Sequence, residues 1–212
     1  MQIIRDIEQG SDEWLKLRLG VASASNFDKI ITSTGKESES LKKYALQLAT
    51  ELMLETPEPS FKNDVMARGN ELESLARDAY QEQSFNVVEQ ITMFKSDCGN
   101  FGYSPDGLVD DDGLVEIKFP IATTHFKYLL DNKMPTDYWQ QVQGGLWVSQ
   151  RKWIDFVSFN SYFRDKKLFI VRVERDEEYI AKLAEQANKV ILIRDEYLNK
   201  NANIAIKEKD LL

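Results

Sequence analysis

Three charged residues, Asp106, Glu116 and Lys118, carry the candidate chemistry of this sequence. Nine residues separate the two acids, and the turn signal Asp110-Asp111-Asp112-Gly113 lies between them, which predicts an antiparallel hairpin with Asp106 opposite Glu116 or within one residue of it. Directly opposed Cβ atoms are about 5 Å apart, and carboxylates that close repel each other unless a cation lies between them. A divalent metal beside an ammonium group suits phosphodiester hydrolysis. The alternative is a solvated acidic turn with an exposed Glu116–Lys118 pair.

The alternation of side chains along a strand adds a second constraint on this hairpin. Glu116 and Lys118 are two residues apart and share one face of the sheet, whereas Ile117 points to the opposite face, into the core.

Two predicted helices carry further candidates. Glu73 lies at the edge of the apolar stripe of a helix over about 64–84; the alternative is an ordinary carboxylate flanking that stripe. In a helix over about 136–149, Tyr138, Gln141 and Gly145 share one face. Glycines inside a helix indicate close approach of another group, either a polar group that docks there or a neighbouring helix.

A phosphate-binding group is the third candidate. Arg18 can bind phosphate in a bidentate manner, and the hydroxyls of Ser25 and Ser104 can donate to it. Taken singly, Arg18 is a helix C-terminal charge before Gly20, and Ser25 is a helix N-cap. The interpretation as one pocket therefore depends on a fold that brings them together.

The order of the predicted elements gives the fold class. Helices come first, then strands near 86–95, 101–109 and 114–119, helices near 123–131 and 136–149, strands near 153–160 and 168–174, and an amphipathic helix near 177–200. This order predicts an α/β or α+β protein with a central mixed sheet flanked by helices. The 212 residues fit a single domain, 1–212.

Composition excludes several functions and leaves the partner undecided. The single cysteine, Cys98, rules out an intrachain disulfide, and the single histidine, His125, disfavours histidine-rich zinc sites and Ser-His-Asp hydrolases. No apolar run is long enough to span a membrane, so we expect no membrane partner. The single cysteine favours a reducing compartment, so we expect a cytoplasmic location. The net charge of −8 argues against nucleic acid, but basic residues cluster locally and the field at a site is local.

Five segments, in this order, resemble the lambda-exonuclease-like, YqaJ-type viral recombinase nucleases: Trp14–Ser25, Arg68–Glu73, Ser104–Leu108, Glu116–Pro120 and Gln141–Trp147. The resemblance extends from about residue 8 to residue 180. It implies a restriction-endonuclease-like core and Mg²⁺-dependent 5′→3′ digestion of one strand of linear duplex DNA, which leaves 3′ single-stranded tails for recombination. It also implies a homotrimeric ring, duplex DNA ends as substrate and a phage single-strand annealing protein as partner.

The resemblance also assigns roles to individual residues. It implies metal binding by Asp106, Glu116, the Ile117 backbone carbonyl and Glu73, with Lys118 positioning or activating the attacking water. It implies a 5′-phosphate pocket formed by Arg18, Ser25, Ser104 and Gln141, with Tyr138 at its edge and Met66 as a wedge at the duplex end. Two Mg²⁺ ions are expected, with Mn²⁺ as an alternative. The competing interpretations are an endonuclease on the same core and a catalytically silent DNA-end-binding protein.

Overall fold

The computed structural model describes residues 1–57 and 63–209, with side chains described for residues 1–57 and 72–201. Within these ranges the chain forms nine strands, six α-helices and two short 3-10 helices. The strands are β1 (Gln2–Ile4), β2 (Ala22–Ser23), β3 (Val88–Glu89), β4 (Met93–Lys95), β5 (Phe101–Tyr103), β6 (Gly107–Val109), β7 (Gly113–Lys118), β8 (Trp153–Phe159) and β9 (Leu168–Glu174). The α-helices are α1 (Asp12–Leu17), α2 (Leu41–Leu54), α3 (Asn63–Ser84), α4 (Ala122–Asp131), α5 (Trp139–Ser149) and α6 (Glu177–Lys209). The 3-10 helices are Ala24–Lys29 and Thr136–Tyr138.

The strands form two mixed sheets with helices around them, which confirms the predicted fold class. One sheet has the order β1-β4-β5-β2, with β2 and β5 parallel, and the other has the order β3-β6-β7-β8-β9, with β7 and β8 parallel. The parallel pair β7–β8 is connected through α4 and α5, because a parallel connection needs a crossover.

The predicted strands near 86–95 and 101–109 are each divided between the two sheets. The second of them is interrupted at Pro105, which has no backbone N–H to donate to a strand ladder. The chain therefore leaves the four-stranded sheet after β5 and enters the five-stranded sheet at β6. Asp106 lies at this transition, directly before β6.

The two faces of the five-stranded sheet pack against different helices. Leu114, on one face, belongs to a large apolar core with Val142 and Leu146 of α5. Ile117, on the other face, belongs to a smaller core with Ala76 and other residues of α3. This separation confirms that Ile117 points into a core on the opposite side from its neighbours in sequence.

The N-terminal segment is fixed by its own cap and by α6. Ser11 caps α1 by accepting a hydrogen bond from the backbone of Trp14 (3.2 Å), as its position before two acidic residues predicts. Gly20 has a φ of +67°, and a Cβ there would lie 2.4 Å from Leu52 Cγ. Arg194 of α6 donates to the Gly20 carbonyl (2.7 Å), which holds the loop leading to β2.

The structure differs from the sequence prediction in its shortest and longest elements. The two- and three-residue strands β2 and β1 are not predicted, because so few residues show no periodicity. Helix α6 ends at Lys209 rather than near residue 200. No helix in residues 1–57 and 63–209 is both long and apolar enough to cross a membrane.

Candidate active site

The predicted hairpin is present, and its register aligns the two acids. β6 pairs antiparallel with β7 in a register that places Asp106, one residue before β6, opposite Glu116. Arg151 stabilises the turn, because its Nη1 donates to the backbone carbonyls of Asp110 (2.6 Å) and Gly113 (2.8 Å). The turn acids therefore stay at one end of the hairpin, and the candidate metal-binding acids lie at the other.

Glu116 is a buried carboxylate held by three side chains. It is 3% exposed. Its Oε2 accepts a hydrogen bond from the Tyr103 hydroxyl (2.7 Å). Its Oε1 accepts from Lys118 Nζ (2.7 Å) and from the Gln141 amide nitrogen. These contacts fix one orientation of the carboxylate.

Asp106 is the second carboxylate of the pair, and fewer hydrogen bonds stabilise its charge than stabilise that of Glu116. Its Oδ2 accepts a hydrogen bond from the backbone N–H of Ile117. Burial raises the pKa of Asp106 well above its usual range, and the charge of Glu116 raises it further, whereas Lys118 opposes the shift. Without a metal the site therefore disfavours a second negative charge beside Glu116, and Lys118 does not fully offset this effect.

This donor set fits a divalent cation. Mg²⁺ takes one or two protein carboxylates and completes its coordination with water and substrate phosphate oxygens. Among the residues with described side chains, no group of three or more His, Cys, Asp or Glu lies close enough to hold a metal ion. The register of the hairpin aligns Asp106 with Glu116, which makes this pair the centre of the candidate metal site, and the carbonyl of Ile117 stays a predicted ligand.

Lys118 is arranged as a hydrogen-bond donor inside the site. Besides Glu116, its Nζ donates to Gln141 Oε1 (3.2 Å), and it lies 5.2 Å from the centroid of the Tyr138 ring. Burial lowers the pKa of Lys118, but the charges of Glu116 and Asp106 outweigh burial and leave the pKa above its usual value. The amine therefore carries its proton in the metal-free site.

Glu73 approaches from α3, the helix on the opposite face of the sheet. It is paired with Arg77, whose Nη1 donates both to Glu73 Oε1 (3.2 Å) and to the Asp106 carbonyl (3.2 Å). Arg77 thus links the helix to the strand that carries Asp106. This contact gives Glu73 a positively charged partner, and metal binding by Glu73 stays a prediction.

The two glycines of α5 mark two different close approaches. A Cβ on Gly144 would lie 2.3 Å from Phe27 Cδ2, so this glycine contacts the 3-10 helix Ala24–Lys29. A Cβ on Gly145 would lie 2.7 Å from Tyr103 Cζ. Gly145 therefore makes room for the tyrosine that donates to Glu116.

Gln141 and Tyr138 lie beside Lys118. The amide of Gln141 contacts Glu116 and Lys118 through both of its polar atoms. The Tyr138 ring also packs against Phe156, with 5.1 Å between ring centroids. The predicted role of Gln141 in the 5′-phosphate pocket stays a prediction.

Arg18 and Ser25 meet in one cluster around Ser23. Arg18 Nη2 donates to Ser23 Oγ (3.2 Å), and Ser25 Oγ lies 3.1 Å from the same atom. Asn26 also donates to Ser23 Oγ (3.0 Å), and the Arg18 guanidinium lies 4.2 Å from the centroid of the Trp14 ring. Burial lowers the pKa of Arg18, yet arginine stays a cation in proteins.

No carboxylate forms an ion pair with Arg18 in the part of the chain whose side chains are described. The partly buried guanidinium feels the charge of Glu51 without direct contact, and it keeps free N–H donors that suit an anionic ligand. Trp14 connects this cluster to the hairpin, because its Nε1 donates to Ser104 Oγ (3.1 Å), two residues before Asp106. Two of the residues assigned to the phosphate pocket, Arg18 and Ser25, are thus brought together, and Ser104 is linked to them through Trp14.

Four residues that complete this arrangement have no role predicted from the sequence: Trp14, Ser23, Arg77 and Tyr103. Trp14 and Tyr103 are indistinguishable in sequence from ordinary core aromatics. Arg77 carried a usable signal, because it lies four residues after Glu73 on the same helix. The predicted wedge, Met66, lies outside the described side chains.

His125 lies away from the contacts of this site. It is buried, with Nδ1 2.7 Å from Ser158 Oγ and Nε2 2.8 Å from the Lys166 carbonyl. Both ring nitrogens are thus used in packing α4 against the β8–β9 hairpin.

The chain is similar to a known protein family and to several solved structures. Residues 13–152 match the family model described as the YqaJ-like viral recombinase domain. No curated protein sequence matches the chain. Among solved structures, the alkaline exonuclease LHK-Exo from Laribacter hongkongensis is similar with a TM-score of 0.83 at 30% identity, over 93% of this chain and 99% of that one. The same exonuclease in complex with dAMP gives a TM-score of 0.82 at 31% identity, over 93% and 99% of the two chains.

A phage related exonuclease from Haemophilus somnus 129PT shares the fold, with a TM-score of 0.66 at 19% identity over 85% of this chain and 96% of that one. These likenesses confirm the predicted restriction-endonuclease-like fold class. The family match spans well over half of the chain and includes both the Arg18 cluster and the Asp106–Glu116 hairpin. The chain therefore belongs to the YqaJ-like viral recombinase domain family.

Proposed function

We propose that this protein is a Mg²⁺-dependent 5′→3′ exonuclease that digests one strand of linear double-stranded DNA from its end. Its product is a 3′ single-stranded tail, the substrate for recombination by single-strand annealing. The observation that carries the proposal is the register of the hairpin, which aligns Asp106 with Glu116 beside Lys118. The fold, shared with an alkaline exonuclease, supports the same reaction class.

The residues of the site have separable tasks in this reaction. When bound, two Mg²⁺ ions, or Mn²⁺ in their place, supply Lewis-acid polarisation of the phosphate and compensate charge on the attacking and leaving oxygens. Asp106 and Glu116 would hold these ions. Glu116 is already oriented by its donors, so little rearrangement precedes reaction. Lys118, which donates to Glu116 and Gln141, would position or activate the attacking water.

The Arg18 cluster supports the proposed polarity. A pocket that binds a terminal 5′-phosphate holds the 5′ end of a strand, and the hydrogen bond from Trp14 to Ser104 supports a position of the Arg18 cluster next to the hairpin. The next phosphodiester of a bound strand then lies toward Asp106 and Glu116. The relative LHK-Exo binds dAMP, a nucleoside monophosphate, which is the product class of such a reaction.

The topology of the DNA substrate tests the proposal. We expect Mg²⁺-dependent release of mononucleotides from linear duplex DNA and no loss of closed circular duplex. Cleavage of the circular form would favour the endonuclease on the same core. Binding of ends without any Mg²⁺- or Mn²⁺-dependent hydrolysis would favour the silent end-binding protein.

Arg18→Ala tests the phosphate pocket. Hydrogen bonds to charged groups contribute about 1.5–3 kcal/mol, so the variant should digest 5′-phosphorylated ends roughly 10- to 100-fold more slowly. The rate on 5′-hydroxyl ends should change little, because no terminal phosphate is bound there. Initial rates on the two kinds of end give the ratio, and Arg164→Ala, in the exposed loop between β8 and β9, is the control. Equal wild-type rates on both ends would contradict the pocket.

Assembly into a homotrimeric ring is the part of the proposal that depends most on the family. The net charge of −8 is unusual for a DNA enzyme, and a ring lets basic residues line a channel while acids face outward. Sedimentation equilibrium should give three times the chain mass of 24.5 kDa, and a monomer mass at micromolar concentration would contradict the ring. Co-sedimentation with the phage annealing protein tests that partner in the same experiment.

A further inference from the structure

We propose that Tyr103 is a positioning residue for the carboxylate of Glu116, and that Gly145 is the position in α5 that admits its ring. This inference rests on the proposed function, since it assigns Glu116 to metal binding. It adds a residue that neither composition nor the family match singles out.

Tyr103 connects the two sheets at the active site. Its backbone belongs to β5 of the four-stranded sheet, where it lies opposite Phe94. Its side chain is 2% exposed and reaches the five-stranded sheet, where the hydroxyl donates to Glu116 Oε2 (2.7 Å). The next three residues along the chain lead through Ser104 to Asp106. One residue therefore fixes the relative position of both candidate metal-binding acids.

The distribution of donors over Glu116 shows what the hydroxyl controls. Oε1 receives hydrogen bonds from both Lys118 and Gln141, whereas Oε2 receives one from Tyr103. A carboxylate offers about four lone-pair sites, two on each oxygen. The free acceptor site therefore belongs to Oε2, and Tyr103 determines the direction in which that site points.

The contact between Tyr103 and Glu116 requires a residue without a side chain at position 145. A Cβ at this position would lie 2.7 Å from Cζ of Tyr103, the ring atom that carries the hydroxyl, and 2.8 Å from Cε1. Any side chain here would push the phenol away from Glu116. A Cβ added at the neighbouring Gly144 would instead clash with Phe27, away from Tyr103.

The competing explanation is that Tyr103 only fills the core. A buried tyrosine usually finds a hydrogen-bond partner for its hydroxyl, so the contact with Glu116 is compatible with a purely structural role. The chain offers a comparison for this alternative in Tyr80, whose hydroxyl donates to the buried Asp155 at the same distance of 2.7 Å. Asp155 is also paired with both Arg172 Nε (2.8 Å) and Nη2 (2.9 Å), so this second phenol–carboxylate contact is a closed structural network on the α3 side of the sheet.

Direct metal binding separates the two explanations. Mn²⁺ binding to the DNA-free protein is measured by calorimetry and by electron paramagnetic resonance for the wild type, Tyr103→Phe and Tyr80→Phe. Loss of a group that orients a metal ligand typically weakens metal affinity 10- to 100-fold, and we expect a loss of that order in Tyr103→Phe. Tyr80→Phe should lower the melting temperature without changing the affinity for Mn²⁺.

Kinetics on linear duplex DNA provide the second readout. In Tyr103→Phe we expect a lower kcat, an unchanged KM for DNA ends, and partial recovery of the rate at high Mg²⁺. Gly145→Ala should weaken Mn²⁺ binding in the same direction, because it displaces the ring, while Gly144→Ala should destabilise the protein without weakening metal affinity. Gly145→Ala also decides the question if Tyr103→Phe is too unstable to titrate.

The outcomes distinguish this inference from the proposed function. A wild-type protein that binds Mn²⁺ and digests DNA, together with a Tyr103→Phe protein of equal Mn²⁺ affinity, overturns the inference and leaves the function intact. Unchanged Mn²⁺ affinity in Gly145→Ala overturns it as well. A wild-type protein that neither binds the ion nor digests DNA overturns both.

Discussion

Asp106→Asn is expected to abolish Mg²⁺-dependent digestion of linear duplex DNA while leaving binding of DNA ends intact. Asparagine keeps the size of the side chain and can still accept the hydrogen bond from Ile117, but it removes the charge that would hold the metal. Metal ions contribute several kcal/mol of transition-state stabilisation, so the rate should fall roughly a thousandfold or more. Single-turnover digestion of end-labelled duplex and fluorescence anisotropy of bound ends measure the two properties separately.

Thermal unfolding gives an independent test of the same residue. Burial and the charge of Glu116 raise the pKa of Asp106 in the folded protein, so the metal-free fold loses stability as the pH rises above the unfolded-state pKa, because the unfolded chain ionises this carboxyl more readily than the folded protein does. Asp106→Asn should therefore raise the melting temperature of the metal-free protein at neutral pH. Mg²⁺ should raise the melting temperature of the wild type but no longer that of the variant.

Asp111→Asn is the matched control, because it makes the same change in the exposed turn of the same hairpin. It should alter neither the rate of digestion nor the response to Mg²⁺. Wild-type rates in Asp106→Asn, or a lower melting temperature without metal, would contradict the assignment of Asp106.

The part of the site that is local in sequence could be predicted from the sequence. The turn between β6 and β7 fixes the register of the hairpin, and strand periodicity then places Glu116 and Lys118 on one face with Ile117 on the other. The division of the strands into two sheets was not predicted. Its determinant, Pro105, is one residue within a stretch that otherwise has the composition of a continuous strand.

The contacts between distant segments could not be predicted in the same way. Gln141 reaches Glu116 across 25 residues of sequence, and this contact depends on how α5 packs over the sheet. Gly145 carried a real signal of close approach, but its partner, Tyr103, has the composition of a core aromatic and is identified only by the direction of its hydroxyl. Periodicity shows which face of an element is buried, and it does not show which element covers that face.

Lys118→Ala is expected to slow hydrolysis by roughly 10²- to 10⁴-fold, the range typical of a group that transfers or positions a proton in the transition state. In the metal-free site the amine carries its proton and donates to Glu116 and Gln141, so its loss removes a positive charge next to the two acids. The fall should appear in kcat, with KM for DNA ends nearly unchanged, because in the proposed function the Arg18 cluster binds the end independently of Lys118. Rapid-quench digestion of a short phosphorylated duplex measures the chemical step directly.

Two further variants separate the charge of Lys118 from its packing. Lys118→Met keeps the length of the chain and its position beside the Tyr138 ring, yet it should be as slow as Lys118→Ala if the ammonium is what matters. Lys152→Ala removes an exposed lysine that pairs with Asp112 at the turn end of the hairpin, and it should digest DNA at the wild-type rate. If Lys118→Met retained activity while Lys118→Ala lost both activity and its circular dichroism signal, the lysine would be a structural element of the hairpin. Catalysis would then depend on the two carboxylates alone.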